Sequence, residues 1–131
     1  MDKIEKQVSA RGLKIEASRG KYKIGVDENI ANLGLSLKGL GYVIWTPVKG
    51  LSYREVDKLL RQMNCKYFIT NNYDDFAQII DRTYFVLGVP KSYEDIGLSR
   101  IVEKYFLRFR TTMIPGQSFK ITQMFINRNL K

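Results

Sequence analysis

The chain reads as an α/β domain, a three-layer sandwich in which a central, mostly parallel sheet of about four strands lies between helices. Short β-branched or aromatic runs alternate with apolar residues at helical spacing, in the order strand, helix, strand, helix, strand. That order requires right-handed crossovers and therefore a parallel sheet. At 131 residues and 44% hydrophobic content the chain can bury a core without disulfide or metal staples. Residues 22–131 form this single domain, and residues 1–21 form a basic N-terminal extension.

The extension carries Lys3, Lys6, Arg11, Lys14, Arg19 and Lys21, with only a weak stripe from Ile4, Val8 and Leu13. It reads equally as a solvated arm, a docked helix or an arm that touches phosphate. The first strand covers Tyr22–Val26 and surfaces into Asp27, Glu28 and Asn29. Ile30, Leu33, Leu37 and Leu40 then repeat at helical spacing until Gly39 and Gly41 end the helix. Tyr42–Thr46 is the second strand, stopped by Pro47. Ser52 and Glu55 make a capping-box pattern before a helix over Tyr53–Met63, whose inner side is Val56, Leu59, Leu60 and Met63. Lys66–Thr70 is the third strand, with Cys65 a partly buried thiol just before it.

Beyond it, a brief helix is expected over Phe76–Arg82 and a fourth strand over Thr83–Val89, closed by Pro90. A helix over Asp95–Phe109 follows, with Ile96, Ile101, Val102, Phe106 and Phe109 inward. Pro115-Gly116 is a turn between two apolar stretches, and the tail is expected to be hairpin-like, or a strand with a short helix.

Composition narrows the chemistry. Histidine is absent, which removes imidazole bases, Ser–His and Cys–His nucleophile pairs and histidine metal ligands. One cysteine allows no internal disulfide and no cysteine-rich zinc site. Hydrolysis by such a chain would rest on carboxylates and a hard metal ion held by oxygen. The net charge of +9, from 22 basic and 13 acidic residues, points to a polyanionic partner such as nucleic acid. No apolar run approaches the roughly 20 residues that span a bilayer, and no secretory leader is visible, so no membrane and a cytoplasmic location are expected.

Acids fall at two predicted strand ends, Asp27 and Glu28 after the first and Asp74 and Asp75 after the third. If these strands are neighbours, their carboxyl ends open into one crevice, about 5 Å from strand to strand. Carboxylates gathered there repel, and Mg2+ or Mn2+ is the usual relief. Asp27 and Glu28 have a second reading, as negative charge capping the next helix. Glu55 is a further candidate ligand on the same rim, or simply the partner of Ser52 in its capping box. Asp57, Asp81, Glu94 and Asp95 read as ordinary helix acids.

Val26-Asp27-Glu28-Asn29-Ile30, followed some forty residues later by Phe68-Ile69-Thr70-Asn71-Asn72-Tyr73-Asp74-Asp75-Phe76, resembles the short PIN-like proteins. Gly41-Tyr42-Val43 and Leu51-Ser52-Tyr53-Arg54-Glu55-Val56 fall where that family has its second strand and an S-D-x-E-I segment. The resemblance covers residues 22–90, about half of the chain. It implies a compact α/β sandwich and a metal-dependent nuclease, RNA ahead of DNA, of the kind that serves as a toxin with a neutralising antitoxin partner. By position, Asp27 and Asp75 would be metal-binding acids and Glu55 a further acid, with Glu28 and Asn72 in the metal pocket and Thr70 and Asn71 lining the nucleic-acid side. Tyr53 stands where the family commonly has an acid and Asn72 where many members have aspartate. An asparagine ligates through its carbonyl oxygen without bringing charge, so a catalytically degenerate protein that binds nucleic acid is the alternative.

Basic and aromatic residues also interleave late in the chain, at Lys104, Tyr105, Phe106, Arg108, Phe109 and Arg110, with Lys120, Arg128 and Lys131 beyond. Lys104, Arg108 and Arg110 would contact phosphate, or would be the wet side of an amphipathic helix. A homodimer through Phe119–Ile126 is a further expectation.

Overall fold

The computed structural model describes residues 23–90, 97–108 and 113–129. Five strands, β1 (Lys23–Val26), β2 (Val43–Trp45), β3 (Cys65–Thr70), β4 (Phe85–Gly88) and β5 (Ser118–Lys120), form one sheet in the order β2-β1-β3-β4-β5. Every neighbouring pair is parallel. The helices are α1 (Ala31–Gly39), α2 (Tyr53–Gln62), α3 (Tyr73–Ala77), α4 (Leu98–Val102, continued as a π-helical turn Glu103–Leu107) and α5 (Gln123–Asn129).

The strand residues alternate between two cores, which is what a parallel sheet covered on both faces demands. Ile24, Val26, Tyr67, Ile69, Phe85 and Leu87 pack with α1, α4 and α5. Phe68, Val86 and Tyr84 pack with Val56 and Leu60 of α2 and Phe76 of α3. The parity breaks once. Lys23 pairs with Cys65 but Ile24 pairs with Tyr67, so Lys66 is an extra residue in β3. This bulge turns Cys65 into the same core as Phe68, where burial pushes its thiol up to about 11.

Helix ends follow local chemistry. At the end of α1, Gly41 takes φ +103°, its N–H donates to the Lys38 carbonyl and the N–H of Tyr42 to that of Leu37. This is a Schellman closure, and Tyr42 and Leu37 share a core. Asn64, at φ 57°, ends α2 in the same left-handed conformation. Ser52 and Glu55 form the full capping box that opens α2.

Three expectations are corrected. The tail takes the second of its two expected forms, a strand with a short helix and not a hairpin, and the strand count is five: Ser118–Lys120 lies parallel to β4, held by N–H bonds from Val86 to the Gln117 carbonyl and from Ile121 to the Gly88 carbonyl. The brief helix starts at Tyr73, not Phe76, and stops at Ala77, so Asp81 sits in a turn at φ 62°. What ends it is Arg82, a buried arginine whose guanidinium donates to the carbonyls of Phe76, Ala77 and Ile79. The same group reaches the carbonyls of Gly116 and Gln117, tying the turn before β5 to the end of α3. Asp57, finally, is no plain surface acid: besides Arg61 it accepts the buried Tyr84 hydroxyl at 2.6 Å. The basic extension, Glu94, Asp95, Ile96, Phe109 and Arg110 lie outside the described residues.

Gly25 is where β1 meets α2 most closely. A Cβ there would stand 2.5 Å from Leu60 Cδ2 and 3.0 Å from Phe68 Cδ1. Gly25→Ala is expected to lower stability by about 1–3 kcal/mol, read from denaturant unfolding, as overpacked cores do.

Candidate functional site

The chain reverses direction across the sheet between β1 and β3. From β1 it leaves through α1 on one face, whereas from β3 it leaves through α3 on the other. The two exits diverge and leave a crevice at the carboxyl ends of these neighbours, the position where open parallel sheets bind ligands. Val26 pairs with Ile69, and the Asp27 N–H extends that ladder by donating to the Ile69 carbonyl at 2.9 Å. Asp27 is thereby set beside Thr70, the last residue of β3.

Asp27 occupies the N-cap position of the turn Glu28–Ile30, yet its side chain makes no capping hydrogen bond. Its carboxylate accepts the Thr70 hydroxyl at 2.5 Å instead. Thr70 Oγ1 in turn accepts the Asn72 N–H at 2.8 Å, and Asn72 Nδ2 donates to Asp75 Oδ2 at 2.9 Å. One continuous chain of polar contacts therefore links Asp27 to Asp75 across the crevice. Asn29 and Asn71 meet above it, amide to amide, at 3.4 Å.

Asp27 is only 7% exposed and Thr70 fully buried, whereas Asp75 is half-buried. Burial raises the Asp27 carboxyl above the ordinary aspartate range, and the Thr70 hydroxyl and the nearby backbone N–H groups of Glu28 and Asn29 offset this only in part. A hydrogen bond to a charged group contributes about 1.5–3 kcal/mol, less than the several kcal/mol that desolvating an ion costs. Burial thus disfavours the ionised form of Asp27, and a bound cation would offset that cost.

The other predicted acids do structural work. Glu28 accepts the Gly50 N–H at 3.1 Å and so latches the loop after β2 onto the end of β1. The Glu55 carboxylate accepts the Ser52 N–H at 2.8 Å, and those Ser52 contacts hold it below its usual range on the exposed start of α2. Asp74 is exposed. Lys104 and Arg108 lie in and directly after the π-helical turn that continues α4, on the segment that joins β4 to β5. Lys104 stands 5.2 Å from the Tyr105 ring centre, and both cations are exposed.

The donor set suits a small hard cation. Mg2+ or Mn2+ is commonly held by one or two carboxylates, with water and phosphate oxygens completing the shell. Asp27 and Asp75 offer two carboxylates, and Asn72, whose Nδ2 is committed to Asp75, offers its carbonyl oxygen. Among the described residues no group of three or more acids or thiols converges, so protein ligands alone would not fill such a shell.

Linkage gives a direct check on Asp27. A carboxyl whose folded pKa is raised stabilises the fold in its protonated form, and that contribution is lost as pH rises through the folded pKa. Asp27→Asn is therefore expected to melt above wild type near pH 7 in metal-free buffer. The difference should shrink as pH falls towards the ordinary aspartate range, measured by thermal melts across pH.

No helix of the described residues is long and apolar enough to cross a membrane. Comparison with known proteins finds nothing similar to this chain: no family model, no curated protein and no solved structure matches it.

Proposed function

We propose that this protein is a divalent-metal-dependent endoribonuclease that hydrolyses phosphodiesters in single-stranded RNA. One observation carries the reading: a buried carboxylate at the β1–β3 crevice accepts a threonine hydroxyl within a chain of polar contacts that ends on a second carboxylate. The resemblance of the Asp27 and Thr70–Phe76 stretches to short PIN-like nucleases supports it, as does the net charge of +9.

Asp27 and Asp75, with the Asn72 carbonyl, would hold Mg2+ or Mn2+, which when bound lowers the pKa of a water and neutralises charge on the phosphate. Thr70 orients Asp27 by donating to it, and Asn72 orients Asp75 in the same way. Burial of Asp27 keeps solvent from competing for its oxygens. A toxin-type role with an antitoxin partner belongs to the same proposal. A homodimer through Phe119–Ile126 would rest on Met124 and the edge of Phe119, since Ile121 and Ile126 are buried within the chain.

A specific observation favours a second reading, nucleic-acid binding without cleavage. Glu28 and Glu55 are engaged by backbone N–H groups, and Asp75 is paired with a neutral amide where a third acid would raise metal affinity.

Cleavage of labelled single-stranded RNA separates the two. The nuclease reading expects cleavage with Mg2+ or Mn2+ that disappears with EDTA, with Asp27→Asn and with Asp75→Asn. Thr70→Val should lose about 10- to 100-fold, the usual cost of removing a partner that orients a ligand. Binding without cleavage in any divalent metal, surviving or tightening in Asp27→Asn, would establish the second reading instead.

A wild-type chain that binds the metal should also melt higher as Mn2+ is added, and Asp27→Asn should not. Calorimetric or fluorescence melts read this without any activity assay.

A further inference from the structure

The registers of β3, β4 and β5 place Thr70, Gly88 and Lys120 in one row at the carboxyl ends of the strands. Alternation puts their side-chain positions on a common face. Gly88 leaves that row open, and the Tyr73 ring fills it: a Cβ on Gly88 would meet Tyr73 Cδ1 at 2.5 Å and its Cβ at 2.7 Å. The Tyr73 hydroxyl and Ser118 Oγ are 2.9 Å apart, which fastens the ring to β5 as well. Lys120 Nζ lies 5.7 Å from the Tyr73 ring centre. Lys120 is exposed, and among the described residues no carboxylate pairs with it. Tyr73 follows directly on Asn72, a member of the polar chain from Asp27 to Asp75.

We infer that Lys120 is a phosphate-binding residue for single-stranded RNA lying across the carboxyl ends of the strands, and that Tyr73 is the residue that positions it. The inference rests on the proposal that this end of the sheet is the RNA face. Two strand spacings put the Lys120 backbone about 10 Å from that of Thr70. That separation suits a neighbouring phosphate of the strand, not the one at Asp27. A lysine is a compact point charge with a long stem, and a cation–π contact narrows its range while leaving the ammonium protons for phosphate oxygens. Each phosphate that a protein neutralises on a single strand adds about 0.7 to the slope of log affinity against log salt.

The test is binding of a short fluorescein-labelled single-stranded RNA by the full chain, in EDTA so that nothing is cut, between about 50 and 200 mM salt. Lys120→Gln is expected to weaken binding and to make the slope shallower by about 0.7. Lys38→Gln, on the exposed end of α1, should leave the slope unchanged. Tyr73→Leu should weaken binding at low salt, and Tyr73→Phe should restore it, because the ring is kept while the hydroxyl is lost. A Lys120→Gln slope equal to wild type would overturn the inference, as would an equal loss in Lys38→Gln. Cleavage assays keep the two proposals apart. A shallower slope in a protein that cuts nothing leaves this phosphate contact standing without the nuclease, and cleavage with an unmoved slope leaves the nuclease without it.

Discussion

The pairing of β1 with β3 is the constraint on which the rest of the structure depends. These strands are separated by a helix, a strand and another helix in sequence, yet Val26 and Ile69 are register partners and the Asp27 N–H continues their ladder. Asp27 is brought to Thr70 by main-chain hydrogen bonds, which fix position far more tightly than side-chain packing. The divergence of α1 and α3 to opposite faces follows from the same adjacency and opens the crevice that the two residues line.

Energetically the crevice runs against the fold around it. The cores on either side are apolar and closely packed, with Ile24, Val26, Phe68 and Ile69 all buried. Asp27 sits at the end of one of these strands, and its ionised form is disfavoured there by desolvation. Carboxyls whose titration is shifted by burial gather at functional sites, which makes Asp27 a candidate there. The acids nearby divide by what they touch. Glu28 and Glu55 accept backbone N–H groups, whereas Asp27 and Asp75 are linked through the Thr70 hydroxyl and the backbone N–H and side-chain amide of Asn72.

The far edge of the sheet is organised by a different polar group. Arg82 is buried without a carboxylate among its described partners, and five main-chain carbonyls share its charge. Because those carbonyls belong both to the end of α3 and to the turn before β5, one side chain fixes where the last strand docks. The position of Lys120 over Tyr73 is a consequence, since β5 is only three residues long and its register depends on that anchor.

The sequence made legible the α/β class, the first three strands, the two helices between them and the capping box at Ser52. These are local matters: periodicity, β-branching and a cap motif are written within a few residues of one another. It also singled out Asp27 and Asp75, because carboxylates after strand-like runs are a local signal as well. Only the fold could bring Thr70 to Asp27, since the two lie 43 positions apart. It alone decided that Ser118–Lys120 joins the sheet: three residues carry too little periodicity to announce a strand, and their pairing rests on β4 and on a buried arginine.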